Sequence, residues 1–480
     1  MRSPLSAFRM TLCLFAALLT ACAVGPRYAT PRIDAAAQWM TDANAAPIEL
    51  NWWRSFNDPL LDELVQSAVS SNPDLKEAQA RLWEARADRA AAMGQQLPQL
   101  NVDGAVNRNA FSEDGPIPVQ RIPGFQRDYN LFEASFDASW EIDLWGYHRR
   151  AVEAARDRVQ SADENRRDVL MRIVTEVARS YIDLRSAQQR LASAQADADA
   201  QADEARLIGQ RWQLGEASHF DFLRADAQAR TARALLPDLD AAAHEAVFRL
   251  GVLTGRPPEV LASRLLQPSP MPTMPSPVAV GLRSEVLRRR PDVRQAEREL
   301  AAATADVGVA TADLFPRLSL VGSIGQESLT AHNFYQAEST TFAVGPSLHW
   351  PVFAGGTLRA KLKAAGARAD AATAAYDAAV IGALSDSETA LNRFAASQRA
   401  REERDLALQQ TAAALTLARQ RYHAGEDDLV VLLDAQSAYS VSEQQSIAAD
   451  AAALSALVSV YKALGGGWQS FEPTVADDRG

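Results

Sequence analysis

A long internal repeat constrains this chain more than any other feature. Asn72-Pro73-Asp74-Leu75 with Glu77-Ala78-Gln79-Ala80-Arg81-Leu82 returns 218 residues later. The second copy reads Arg290-Pro291-Asp292-Val293 with Gln295-Ala296-Glu297-Arg298-Glu299-Leu300. At the same offset Leu97-Pro98-Gln99-Leu100 returns as Phe315-Pro316-Arg317-Leu318, and further on Arg211-Trp212-Gln213-Leu214-Gly215 returns as Arg421-Tyr422-His423-Ala424-Gly425. The period is far longer than the roughly 20–50 residues of solenoids and propellers. Two copies in one order imply a protomer built from two equivalent halves.

The N-terminus supplies an address. Arg2 and Arg9 precede an apolar run, Met10 to Leu19, which ends in Leu19-Thr20-Ala21-Cys22. A basic stretch, a short apolar stretch and small residues before a cleavage point make a secretory signal. The run is too short for a transmembrane helix of about 20 residues. A Cys directly after the small residues resembles the lipobox of bacterial lipoproteins, in which Cys22 becomes the acylated first residue. Ala23 rather than Asp after it points to the outer membrane. The alternative is a plain signal peptide with an incidental Cys. Cys13 leaves with the signal, so the mature chain has no internal disulfide and no Cys-based metal site.

Net charge is −11, and removing Arg2 and Arg9 makes it more negative, which disfavours nucleic acid as a partner. The 47% hydrophobic fraction is inflated by alanine, a strong helix former. After the signal no run of 18 or more apolar residues occurs, so a membrane crossing by the mature chain requires a closed β-barrel.

Within each half, strands and helices alternate. Asp58 reads as an N-cap with Pro59 at the first helical position, opening a helical stretch to about Gln96 that is interrupted at Asn72-Pro73. Leu97 to Asn107 alternates in polarity. Phe132, Ala134, Phe136, Ala138, Trp140 and Ile142 then alternate with Glu133, Ser135, Asp137, Ser139, Glu141 and Asp143. Period two over this length predicts a strand with one apolar and one charged face. The second half repeats the pattern, with Leu318, Leu320, Gly322 and Ile324 against Ser319, Val321 and Ser323, then Phe342, Val344, Leu348 and Trp350 against Thr341, Ser347 and His349. A soluble sandwich also buries one face; apolar-out alternation and Trp140, Trp145 and Trp350 near strand ends favour a membrane barrel.

Long helices follow. Arg149 to Trp212 contains no Pro and only Gly209, and predicts a helix of about 95 Å at ~1.5 Å per residue. Val152, Val159, Leu170, Val177, Leu184 and Leu191 form its seam. Thr357 to Tyr422 matches it. Gly215 and Gly425 are the expected C′ residues, followed by shorter helices over Ser218 to Leu253, broken at Pro237, and Asp428 to Leu464. Two strands per half give four per chain, and membrane barrels need at least eight, so several chains must share one barrel. Three give twelve strands; two would give eight and a lumen filled by side chains.

These segments together resemble the outer-membrane factor family of tripartite resistance-nodulation-division efflux pumps, the lipoprotein TolC-like channels. The matching residues are Ala21-Cys22, Trp52-Trp53 with Asp58-Pro59-Leu60, Asn72-Pro73-Asp74-Leu75, Trp140-Glu141-Ile142-Asp143-Leu144-Trp145-Gly146, Arg289-Arg290-Pro291-Asp292-Val293, Trp350-Pro351-Val352-Phe353 and Ala463-Leu464-Gly465-Gly466-Gly467-Trp468. The resemblance implies an α+β membrane protein, a homotrimer with a long-helix α-barrel and a shared 12-stranded transmembrane β-barrel. It implies passive passage of substrates delivered by an inner-membrane efflux pump through a periplasmic adaptor (a membrane fusion protein), in the bacterial outer membrane and in contact with its lipid. It also places gate carboxylates at Asp221 and Asp434 and a gate-linking tyrosine at Tyr422. Arg224 and Arg421 are nearby partners, since the position of the family's gate arginine is Asp427 here. Gly215, Glu216, Gly425 and Glu426 fall in the turns that would meet the adaptor.

The expected division is a signal at 1–21, a lipidated arm at 22–57, one repeat at 58–283, a second at 284–468 and a tail at 469–480. No catalytic constellation is found. The six histidines show no ligand spacing, and there is no H-E-x-x-H, phosphate loop or G-x-S-x-G, so neither an enzyme nor a metal or cofactor is expected. The alternative to a channel is a trimeric helical structural or adhesin lipoprotein, which needs no polar-faced strands.

Overall fold

A computed structural model of the protein describes residues 23–31, 39–40, 48–114, 116, 122–124, 126–275, 280–281 and 283–472. Cys22 lies outside them. The chain divides into two compact units. The first comprises the described part of Met1–Pro31, Trp83–Ser161 and Ala296–Tyr376; the second comprises the described parts of Arg32–Leu82, Ala162–Gln295 and Asp377–Gly480.

The first unit holds the sheet. Strands β1 (Gln99–Ala110), β2 (Asp128–Ile142), β3 (Arg317–Ser328) and β4 (Thr340–His349) are antiparallel neighbours in the order β1-β2-β3-β4. The register keeps the apolar alternation in step across all four. Val102 faces Phe136, Phe136 faces Ile324, and Ile324 faces Phe342. One face of the sheet is therefore apolar and open: Leu100, Val102, Val106, Phe136, Ile324, Phe342, Val344 and Leu348 are all more than half exposed. The opposite face carries Asp103, Glu133, Asp137, Ser319, Ser323 and Glu327. Trp140 and Trp350, at equivalent strand ends, donate indole hydrogen bonds to the Gln96 and Leu314 carbonyls. Trp145 differs from a rim aromatic. Its indole donates to the Pro316 carbonyl and its ring stacks on Phe315 at 4.7 Å, so it packs the base of β3.

The arm is seated on this unit. Val24 N–H donates to the Trp145 carbonyl, and Tyr28 OH donates to Glu297 at 2.9 Å. Gly25 adopts φ +90°, and a Cβ there would lie 2.5 Å from the Gly308 Cα. Only glycine fits that approach.

The second unit is helical. It contains α1 (Pro59–Ser71), the first part of α2 (Pro73–Gly94) up to Leu82, and the parts from Ala162 and Asp377 onward of the long helices α3 (Tyr147–Gln213) and α9 (Thr357–Ala424). It also holds α4 (His219–Ala234), α5 (Leu236–Thr254), α6 (Pro258–Leu265), α7 (Arg283–Arg289), the first turn of α8 (Pro291–Ala312) up to Gln295, and α10 (Leu429–Ala463). Asp58 accepts from the backbone N–H groups of Leu60 and Leu61 and so caps α1. Trp52, Trp53 and Phe56 form a buried 3-10 turn in the core, where Trp52 stacks on Tyr461 at 5.2 Å. Leu170, Val177 and Leu184 of the predicted seam are buried here. Among the described residues α10 alone is long and apolar enough to cross a membrane; 61% of its most apolar window is buried, and Leu457, Val458 and Val460 lie in the core.

The repeat is legible in hydrogen bonds. Asn72 and Arg290 occupy equivalent kinks. Asn72 donates its amide to the Leu253 carbonyl, and Arg290 donates to the Ala463 carbonyl at 3.2 Å. Gly255 and Gly465, at φ +62° and +75°, close the helices that bear those carbonyls.

Candidate functional site

The residues singled out for the gate lie in the second unit, at the turns α3–α4 and α9–α10. Both long helices end in the same way. Gly215 N–H donates to the Trp212 carbonyl and Glu216 N–H to that of Arg211; Gly425 N–H donates to Tyr422 and Glu426 N–H to Arg421. This is the 6→1, 5→2 termination that requires a left-handed C′ residue, and the glycines have φ +76° and +75°. The two tips thus share a backbone and differ in side chains.

The first tip is aromatic. Trp212 stacks on His219 at 4.5 Å and on Phe222 at 5.3 Å. Gly209 makes room, since a Cβ there would meet the Phe222 ring at 3.0 Å. Asp221 is committed locally. It completes a capping box with Ser218, accepting from the Ser218 N–H and hydroxyl while Ser218 Oγ accepts from the Asp221 N–H.

The second tip is polar. Arg421 bonds Asp427 at 2.9 Å and lies 3.7 Å from Glu426, so it serves its own turn. Between the tips, Arg224 Nη2 donates to Asp434 Oδ1 at 2.9 Å. These two residues occupy equivalent positions of the two repeats, at the offset that relates Arg211 to Arg421. Identical side chains there would face each other with like charge; opposite charge makes them a pair. Arg211 also donates to Tyr422 OH at 3.3 Å, and Gln228 donates to the Leu433 carbonyl at 3.0 Å.

The structure therefore brings Arg224 to Asp434 and Arg211 to Tyr422, and leaves Asp221 and Arg421 in local turns. Arg211 and Gln228 were not singled out from sequence as gate residues, and Asp427, noted there only as standing where the family has an arginine, is the partner of Arg421. The recurrence of Arg211 as Arg421 was a signal for the first. No pattern marks Gln228, because its partner is a backbone carbonyl in the other repeat.

The model of the family described as outer membrane efflux protein matches residues 64–256 and 282–466, two blocks that fall on the two repeats. The pyoverdine export outer membrane protein OpmQ of Pseudomonas aeruginosa is 31% identical over 94% of this chain and 95% of its own length. Outer membrane protein OprJ of the same organism is 31% identical over 98% and 97%. A solved structure of the outer-membrane channel OprN is 34% identical, covers 93% of this chain and 100% of its own, and superposes with a TM-score of 0.86. The fold is α+β, with long helices and four strands per chain, as in a 12-stranded barrel shared by a homotrimer. This chain belongs to the outer membrane efflux protein family and is an outer-membrane channel of an efflux system.

Proposed function

We propose that the channel is passive and is completed by three copies. It conducts substrates handed over by an inner-membrane pump through a periplasmic adaptor. The observation that carries this reading is the sheet of the first unit. Its apolar face is open over four strands, its other face is polar, and β1 and β4 are edges. An open sheet edge is not tolerated in hydrocarbon, where each unpaired backbone group costs several kcal/mol. Further copies must cover both edges, and three copies supply twelve strands.

In this reading Cys22 carries the lipid anchor. The arm, seated against Trp145 and Gly308, supports a position for that anchor beside the sheet. The turns at Gly215–Glu216 and Gly425–Glu426 meet the adaptor, and Arg224–Asp434 with Tyr422 hold the gate. The division into signal 1–21, arm 22–57, repeats 58–283 and 284–468 and tail 469–480 belongs to the same proposal. OpmQ is named for pyoverdine export; an exported organic compound is the substrate class proposed here. Purified protein in planar bilayers should give discrete conductance steps without any energy source. Absence of steps from a lipid-inserted oligomer would favour a structural lipoprotein.

A further inference from the structure

Within the helical unit, residues of α3 and α9, the start of α8 and the end of α10 enclose a hollow of about 470 Å³. Five basic residues and three carboxylates line it. The carboxylates are all committed. Asp168 accepts from Arg172 at 2.9 Å, and Asp292 and Asp386 accept from Arg290 at 2.6 and 3.1 Å. Three cations remain. Arg179 donates to the neutral Ser459 hydroxyl at 2.5 Å, and Asp183, one turn further along α3, lies 3.8 Å from Arg249. Arg393 forms no ion pair with any described residue, and neither does Lys462. Lys462 favours the ionised form of Asp168, but less than Arg172 does.

The corresponding place in the first repeat is built differently. At the offset that relates α3 to α9, Arg393 corresponds to Asp183, and Asn72 stands where the second repeat has Arg290. The hollow beside the Asn72 kink, about 500 Å³, sets Asp74, Glu77 and Glu176 against Arg81, Arg172 and Lys462 and is balanced in charge. The excess of positive charge therefore belongs to the second hollow alone of this pair. Cations gathered in a concavity without counter-ions repel one another and lose hydration. An anion between them relieves both costs.

We infer that this hollow is a binding site for a small phosphate-bearing anion, held by Arg179, Arg393 and Lys462. The three cations come from α3, α9 and α10 and so approach from different directions. A carboxylate offers one charge in one plane. A phosphate group offers nearly two, on oxygens that radiate toward all three cations, and the guanidinium fork matches a pair of them. The Thr389 hydroxyl adds a neutral donor, and Met171 and Ala390 give an apolar wall for the carbon part of an ester. The volume falls within the roughly 300–1,000 Å³ of small-molecule sites. A bound anion ties helices of the two repeats together. A soluble phosphate ester and a lipid phosphate headgroup share this chemistry. The inference does not depend on conduction by the channel.

The test uses the full-length protein in detergent with pyrophosphate as the probe, read by isothermal titration calorimetry and by thermal unfolding. Wild type should bind saturably, more weakly in high salt, and should unfold at higher temperature as pyrophosphate is raised. Arg393→Gln with Lys462→Gln should weaken binding by roughly tenfold or more. Arg393→Asp, which copies the charge of the first repeat, should do so by itself. Arg206→Gln with Arg230→Gln removes two exposed charges elsewhere in the helical unit and should leave binding unchanged. Circular dichroism and size-exclusion chromatography report folding of each variant. A second titration uses short-chain phosphatidic acid. Tighter binding than pyrophosphate identifies a lipid headgroup as the natural source, and weaker binding a soluble ester. No response of wild type to millimolar pyrophosphate would overturn the inference. So would equal losses in the two double variants, or binding that survives the loss of Arg393 and Lys462.

Discussion

Asp434 is the side chain on which the gate proposal turns. Its partner Arg224 comes from the equivalent position of the other repeat, and the pair is 35% and 69% exposed. An exposed ion pair contributes ~0.2–1 kcal/mol. Removing it should therefore leave the fold almost unchanged and shift a closed–open equilibrium by at most about fivefold, since ~1.4 kcal/mol is a factor of ten. Asp434→Ala combined with Tyr422→Phe, which also removes the hydroxyl that Arg211 reaches, should raise the open fraction in single-channel records and sensitise cells to large antibiotics such as vancomycin. Unchanged conductance from an intact trimer would place the gate elsewhere. A second side-chain test concerns the arm. Gly308→Ala would put a Cβ 3.0 Å from the Arg150 side chain, and Gly25→Ala would clash with the Gly308 Cα in a backbone conformation that disfavours alanine. The first should be tolerated by a shift of Arg150. The second should cost ~1–3 kcal/mol of local stability and expose residues 23–31 to hydrogen exchange; equal protection in both would mean that the arm is not seated as described. The Asp58 cap and the two C′ glycines were legible in sequence because they depend only on adjacent backbone. The Arg224–Asp434 and Arg211–Tyr422 contacts were not, because they cross between repeats, and spacing within one helix carries no information about which residue of another helix stands opposite.

At the level of strands and helices, the alternating pattern of Phe132 to Ile142 predicted both the strand and its faces. The register bears out the alternation across β1 to β4. Period two was readable because each residue reports its own face. Strand ends were less so: β1 runs over Gln99–Ala110 and α3 over Tyr147–Gln213, each displaced by a few residues from the sequence expectation. Trp145 was read together with Trp140 and Trp350 as a rim aromatic; all three indoles donate to backbone carbonyls, and Trp145 is set apart by its stacking on Phe315, a contact that aromatic content near a strand end does not reveal. Phe136 is 62% exposed on the apolar face and Asp137 follows it on the polar one. Phe136→Arg should cost ~2–4 kcal/mol of barrel stability if it lies near the bilayer midplane, and Asp137→Arg far less. Urea titration of the trimer in lipid vesicles measures both, and equal costs would remove the membrane-facing assignment.

Across the protein, the repeat was the most legible feature, and the two blocks matched by the family model lie on its two copies. What the sequence could not show is how the helical unit titrates. Glu164, Asp168, Asp183 and Glu204 are all held above the ordinary carboxylate range, with burial the first cause in each, offset by Arg167 at Glu164 and by Arg419 at Glu204. A carboxyl raised in the folded state binds more protons there than in the unfolded chain. Its contribution is full below the unfolded value and is lost as pH rises through the folded one. Glu63, lowered by Arg264, acts oppositely but is exposed. Thermal unfolding of the helical unit should therefore shift upward on acidification from neutral toward about pH 5, and Glu204→Gln should flatten that dependence. A shift of opposite sign would mean that these groups are solvated.

The claim that three chains close one barrel is tested most directly by cross-linking its edges in membranes. Cysteines placed singly along β1, at Asn101, Asp103 and Ala105, are combined with cysteines along β4, at Thr341, Ala343 and Gly345, and oxidised in intact outer membranes. Because β2 and β3 lie between these edges within one chain, a bond between them must join two copies. Oxidation should give a ladder that ends at three chains. A ladder that stops at two, runs on beyond three, or fails to form with every pair would contradict a barrel shared by a homotrimer.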